Sequence, residues 1–364
     1  MTDTEGCIAL NMIPEVGPVR LRKLLEVFGS AHRILSAKPV ELRAVDGIGG
    51  ELAESIAHWE ERIDLAGELG KIKEFGALVI TQADREYPRM LREIHNPPIV
   101  LYVWGELQDR DVHAIGVVGA RAASHYGLQS AKKLSYQLAY AGVTVVSGLA
   151  RGIDSAAHQA ALAAKGRTIA VIGSGLNKLY PPENAGLAEL ITASGAVVSE
   201  YPMDRSADRQ TFPYRNRIVA GWGTGILVIE AAVNSGALIT ASQAIEHGRS
   251  VYAVPGPIDR PTSTGSNRLI QQGAKLVMDA GDILDEMHLL FPRTSPLNPS
   301  SPAQGLLSEE ERKVYNAIED EETPIDSIIG KCGLPTGKVS STLLALEMKH
   351  LVRQLPGQHF VKLI

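Results

Sequence analysis

The chain has 364 residues, 45% of them hydrophobic and 21% charged, with a formal charge of -5, a balance that supports a large core with one or two small domains and excludes disorder outside short linkers. No apolar run approaches the roughly 20 residues that cross a bilayer, and Met1-Thr2-Asp3-Thr4-Glu5-Gly6 lacks the basic head and apolar core of a secretion signal, so a cytoplasmic protein is expected. Cys7 and Cys332 lie far apart without ligands at metal-binding spacing, which sets aside zinc, disulfide and thiol chemistry, and the acidic balance means that any nucleic-acid contact must come from a local basic patch.

Residues 1–75 read as a helical module of two similar halves. Val16-Gly17-Pro18 opens one helix over 19–28, and Val45-Asp46-Gly47-Ile48-Gly49 opens another over 51–59. This is the pattern of paired helix-hairpin-helix (SAM-like) units, whose turn amides face a phosphate. The helices carry as much Glu as Arg, so a packing or partner-holding role stands equally open.

Residues 76–290 form the main domain. One rhythm repeats there: a β-branched run, a glycine turn, then an amphipathic stretch of helix length, the pattern of an α/β parallel sheet with crossover helices. Strands are expected at 114–118, 143–147, 168–172, 196–200, 226–230 and 250–254. In open sheets of this kind ligands bind outside the carboxyl ends of the strands, which directs attention to 119–121, 148–154, 173–178 and the turn at 234–236.

Gly119-Ala120-Arg121 ends one strand, with Ser124 placed to cap the next helix and Arg121 to project over the crevice. Ser147-Gly148-Leu149-Ala150-Arg151-Gly152-Ile153-Asp154 packs anion donors and two glycines into one strand-end loop. Asp154 and His158, four apart, are too few for a metal site, so a capping or orienting role is expected.

Gly173-Ser174-Gly175-Leu176-Asn177-Lys178 starts like a dinucleotide fingerprint, but Lys178 stands where a third glycine belongs. It serves either as a strand-to-helix turn or as a loop whose amides, with Ser174, hold a phosphate. Arg205 and Arg209 then lead into Phe212-Pro213-Tyr214-Arg215-Asn216-Arg217-Ile218, where arginines at a helix start beside aromatic rings suit phosphates and a base together. Glu230 has no nucleophile at a recognisable spacing and reads as an orienting group rather than an acid catalyst. Ser235 and Gly236 open a further helix suited to anion capture. Gly333-Leu334-Pro335-Thr336-Gly337-Lys338 has the wrong spacing for a Walker A loop, so ATP hydrolysis is not expected.

Four prolines in the segment Phe291-Pro292-Arg293-Thr294-Ser295-Pro296-Leu297-Asn298-Pro299-Ser300-Ser301-Pro302 mark a linker over 291–305. Residues 306–364 follow with helices at 306–318, 325–331 and 337–349, then a hairpin of 351–354 and 360–363 around Pro356-Gly357-Gln358, the outline of a winged helix. The third helix offers only Lys338 and Lys349 against Glu347, so it is expected to contact a protein or to contribute weakly to DNA binding.

Taken together, Val118-Gly119-Ala120-Arg121, the 147–154 loop, Gly173-Ser174-Gly175-Leu176 with Tyr180-Pro181-Pro182-Glu183-Asn184, and Phe212-Pro213-Tyr214-Arg215-Asn216-Arg217 closely resemble the DNA-processing protein A (DprA/Smf) family. Ser235-Gly236-Ala237-Leu238-Ile239-Thr240 and Val254-Pro255-Gly256-Pro257 extend the match over about residues 80–280. The resemblance implies an extended Rossmann-like core that binds and protects single-stranded DNA, forms a homodimer, and helps load the RecA recombinase during natural transformation. It carries DNA contact over to Gly119, Arg121, Ser147, Arg151, Gly173, Ser174, Gly175, Phe212, Arg215, Asn216 and Arg217. The residue reading adds Gly148, Lys178, Arg209, Tyr214, Ser235 and Gly236. Tyr214 stands where the family usually has a second arginine and offers a stacking face instead. No catalytic residue, cofactor or metal is expected.

Two other classes compete. A nucleotide phosphoribohydrolase of the Lonely Guy type expects a Pro-Gly-Gly-x-Gly-Thr phosphate loop, which 234–240 does not supply. A duplex-binding transcription regulator leaves the large main domain unexplained.

Overall fold

The computed structural model describes residues 1–290, 308–318, 323–348, 351–355 and 359–362. The linker expected over 291–305 and the Pro356-Gly357-Gln358 turn lie outside them.

Each expected β-branched run becomes a strand, because runs apolar on both faces are buried on both faces only inside a parallel sheet. In chain order the strands are β1 (Leu78–Thr81), β2 (Val100–Gly105), β3 (Ala114–Val118), β4 (Thr144–Ser147), β5 (Thr168–Val171), β6 (Ala196–Ser199), β7 (Gly225–Val228), β8 (Ser250–Ala253) and β9 (Lys275–Leu276). Their order across the sheet is β1-β2-β6-β5-β4-β3-β7-β8-β9. From β6 to β9 all neighbours are parallel, with Ile115 of β3 beside Val145 of β4 and Gly225 of β7. The rhythm did not reveal β1, β2 or β9: the first two form an antiparallel extension, and β9 is only two residues long.

Period-two alternation divides the side chains between the faces. Ile115, Val117, Val145, Leu227 and Ile229 pack under helices His125–Tyr140 and Ile153–Ala163. Val118, Val146, Val171 and Val228 pack under helices Thr211–Trp222 and Gly236–Glu246. The chain runs outward in opposite directions from the β3/β7 pair, so its strand ends splay apart there and leave a crevice.

The N-terminal halves appear as expected, with Gly17 capping helix Pro18–Phe28 and Gly49 capping helix Gly50–Ala57. Two of their cations are held by carboxylates: Lys23 by Asp46 at 2.6 Å and Arg43 by Glu54 at 2.9 Å. Although the expected boundary at residue 75 falls just before β1, the core runs through it. Ile8, Leu10, Leu24 and Ile56 share one apolar cluster with Val100, Tyr102, Val197 and Met203. Two polar ties join in, Asn11 Nδ2 donating to the Glu200 carbonyl at 2.9 Å and Met203 N–H to Glu68 Oε1 at 2.7 Å.

The second compact unit carries helices Glu309–Ala317, Ile325–Cys332 and Thr336–Met348 with a small sheet of Thr323–Pro324, His359–Lys362 and Val352–Leu355, a winged helix. Val314, Ile328, Val339, Leu343 and Phe360 fill its core. Gly333 ends the middle helix at φ 64°, a left-handed turn that favours glycine. Lys338 is ion-paired with Glu310, and Lys349 lies outside the described residues. Among the described residues no helix is long and apolar enough to cross a membrane.

Candidate nucleic-acid interface

The crevice at the β3/β7 switch point is a cleft of about 430 Å³. Gly119, Arg121, Arg209, Phe212, Arg215, Asn216, Ser235 and Gly236 line it, joined by Ala150, Asp154, Ile239 and Thr240. The charged lining is three arginines against one buried carboxylate, a local basic site on an acidic chain. A smaller depression of about 20 Å³ adjoins it, sharing Arg121, Ala150, Phe212 and Arg215 and adding Gly148, Arg151, Tyr180 and Pro181.

Close packing fixes the loops. Ala120 N–H donates to the Glu230 carbonyl at 2.8 Å, joining the ends of β3 and β7. The Glu230 carboxylate accepts Ser124 N–H at 2.8 Å, and Ser124 Oγ caps its helix by accepting Gly127 N–H at 3.0 Å. Glu230 is therefore a brace for backbone amides. Asp154 accepts Gly148 and Ala150 N–H at 3.1 and 3.3 Å, so it orients the 147–154 loop. Burial raises its pKa, with the Arg215 charge opposing that rise.

His158 does not converge with Asp154 on a metal position. Its Nδ1 lies 2.7 Å from Thr168 Oγ1, whose proton goes to the Val145 carbonyl, so Nδ1 carries the hydrogen and donates. Burial, then the Arg215 charge, push the imidazole pKa down to about 3, leaving the ring neutral.

Phe212 is the centre of the site. Arg121 places its guanidinium carbon 4.7 Å from the Phe212 ring centroid, a cation–π contact, and Tyr180 approaches the same ring at 5.9 Å and 51°. Gly173 lies beneath it: a Cβ there would stand 3.2 Å from the ring. Asp208 caps the Phe212 helix by accepting Gln210 and Thr211 N–H at 2.7 and 2.9 Å.

Several of the expected contact residues are buried or lie away from the cleft lining. Arg215 is only 4% exposed; its Nη1 donates to the Gly148 carbonyl at 2.5 Å and to the Val171 carbonyl. It stitches the helix to the ends of β4 and β5 and lends its charge to the cleft floor rather than reaching up for a phosphate. Gly148 is glycine because a Cβ would enter that guanidinium. Arg217 faces away, buried against Glu200 at 2.6 Å, since residues two apart on a helix point to opposite sides. For the same reason Tyr214, 62% exposed, is absent from the cleft lining while Phe212 is part of it.

Ser147 is buried and donates to the Val117 carbonyl at 2.6 Å. In the Gly173–Lys178 loop two of the amides are taken up by the protein's own backbone. Ser174 is buried, Gly175 N–H donates to the Arg205 carbonyl at 2.8 Å, and Asn177 N–H to the Met203 carbonyl at 3.0 Å. Lys178 is exposed and lines neither depression. Reading the sequence missed Tyr180, Glu183 and Ile239 as site residues; the first two stand in a motif used only for recognition, and Ile239 shows itself as an apolar residue 45% exposed in a helix's first turn.

Residues 78–288 match the model of the DNA recombination-mediator protein A family, residues 298–358 its winged helix domain, and residues 8–63 a helix-hairpin-helix motif. The chain belongs to the DNA recombination-mediator protein A family. This family member is 34% identical to protein Smf of Synechocystis sp. over 97% of both chains, and 42% identical to protein Smf of Escherichia coli over 76% of this chain and 75% of the relative. The DNA processing protein A of Streptococcus pneumoniae superposes with a TM-score of 0.70 at 35% identity, covering 79% of this chain and 98% of that one. That of Helicobacter pylori, solved for its single-stranded DNA binding mode, gives 0.53 at 25% identity, covering 58% and 97%.

Proposed function

We propose that the chain binds single-stranded DNA in the switch-point cleft, protects it, and hands it to RecA as a recombination mediator during natural transformation. The observation that carries this reading is the part-exposed Phe212 ring beside Arg121 and Gly173 at the mouth of an arginine-lined cleft. An aromatic face takes any unstacked base, and adjacent guanidinium and amide groups take the backbone. Phosphate contact falls to Arg121 and Arg209, which have no carboxylate partner among the described residues, and to the amides opening the Gly236–Glu246 helix. Arg215 supports them from below. Family membership supports the mediator step and a homodimer through the main domain, for which exposed Leu276 and Met278, in and after edge strand β9, offer an apolar surface.

Fluorescence anisotropy of a labelled oligothymidylate tests the binding step. Affinity is expected to fall with salt, duplex competitor to have little effect, and Arg121→Glu to weaken binding about tenfold or more at low salt. Phe212→Ala is expected to cost about 1–3 kcal/mol of binding. Unchanged affinity in Arg121→Glu overturns the assignment. RecA filament growth on single strands coated with a single-strand-binding protein tests the mediator step, and sedimentation tests the dimer.

A further inference from the structure

The cations around Phe212 are not equally free. Arg121 and Arg209 are exposed and unpaired among the described residues, whereas Arg151, at the edge of the adjoining depression, is ion-paired with Glu183. Glu183 did not arrive there by a flexible side chain alone. It sits in the short 3-10 turn Pro182–Asn184, and Asn184 Nδ2 fastens that turn to the 147–154 loop by donating to the Leu149 carbonyl at 2.7 Å and to Ser155 Oγ at 2.9 Å. The turn that carries the carboxylate is thus fixed beside the one arginine of its anchor loop. Both partners stay wet, with side chains 58% and 46% exposed, so the pair is of the weak surface kind that opens at small cost. Arg151 keeps Glu183 below the usual carboxylate range, so it is charged at neutral pH.

We infer that Glu183 masks a further phosphate contact: Arg151 leaves it only when a strand already seated on Phe212 presents its adjoining phosphate across the depression that Arg151 shares with Arg121 and Tyr180. This rests on the cleft reading above. A planar guanidinium exchanges one oxyanion for another without changing geometry. A ligand with a single phosphate, satisfied at Arg121, does not open the pair. The masking carboxylate therefore favours continuous strands over mononucleotides and other small anions, and it lowers affinity for every ligand that must displace it.

The test is anisotropy of a labelled oligothymidylate against wild type, Glu183→Gln, Arg151→Gln, the double variant, and Glu189→Gln as a control for general charge, since Glu189 is also exposed. Glu183→Gln is expected to bind roughly two- to fivefold tighter at low salt and to steepen the salt dependence by about 0.7 in log–log slope, one phosphate contact no longer offset by a released carboxylate. The double variant is expected to bind no tighter than Arg151→Gln. Unchanged or weaker binding in Glu183→Gln overturns the inference, as does tightening that persists without Arg151 or is equalled by Glu189→Gln. A wild-type chain without salt-sensitive affinity, or one indifferent to Arg121→Glu, removes the cleft reading and the inference with it. Tight wild-type binding with a null Glu183→Gln removes the mask alone.

Discussion

The loops after β3 and β5 look alike in sequence, each a strand running into Gly-x-Arg or Gly-x-Gly, and they end up doing opposite things. At Gly119–Arg121 the backbone is tied to β7 and the arginine is released over Phe212. At Gly173–Asn177 the Gly175 and Asn177 amides turn inward to the carbonyls of Arg205 and Met203, and Phe212 lies over Gly173. A glycine at a strand end thus marks close approach of something; whether it is a ligand or the protein's own backbone depends on what the next strand's loop brings over it.

The comparison breaks most severely if the stitch common to its surroundings is cut. Arg215→Ala removes the buried charge that acts on buried Asp154 and two carbonyl contacts, and is expected to destabilise the main unit by about 3–5 kcal/mol in chemical denaturation. Loss of DNA binding in variants at 215 is then a folding effect, which is why Arg121 is the better probe. Next in size is the closed loop itself. A Cβ at Gly175 would enter the carbonyl oxygens of Pro202 and Met203, so Gly175→Ala is expected to cost about 1–3 kcal/mol. Gly236, with open space around it at a helix start, is the converse: Gly236→Ala is expected to raise stability by about 0.4–1 kcal/mol.

Acid sharpens the difference between buried and exposed parts of the site. His158 has a pKa of about 3 in the fold against 6.5 as its ordinary value, so between these it takes up a proton only on unfolding. Its contribution to stability is present above about pH 6.5 and is lost as pH falls towards 3, with a slope of up to about 1.4 kcal/mol per pH unit. His158→Asn is expected to flatten that slope in denaturation series, and an unchanged slope would assign the acid loss elsewhere. The smallest effect is expected from removing the chain after residue 302: with Lys338 held by Glu310, single-strand affinity should change less than about threefold, within the range of weak surface electrostatics. A truncated chain that no longer binds DNA would contradict this.

Much of this was legible in advance. Runs such as Ala114–Val118 can be buried on both faces only in a parallel sheet, and strand-end loops of such a sheet must hold the site. The antiparallel pair β1–β2 escaped because, although both are apolar runs, they are not joined by the long crossover helix of the repeating rhythm: only the four-residue helix Arg89–Arg92 lies between them. Within the site, the spacing of Arg215 and Arg217 already carried the warning, since a helix turns about 200° over two residues and cannot aim both at one phosphate. What no spacing reveals is depth. Ser147, Ser174 and Arg215 are ordinary polar residues in sequence, and only the packed loops above them take them out of solvent.

The ties from Asn11 and Glu68 to the backbone of residues 200 and 203 have a consequence for descent. They grip the segment that leads to Arg205, Arg209 and the capping Asp208, so the helical module is scaffolding for the approach to the switch-point cleft and cannot be exchanged as a cassette. A lineage that replaced residues 1–75 would have to re-supply an amide where Asn11 stands and a carboxylate where Glu68 stands, or inherit a cleft whose mouth had lost its frame.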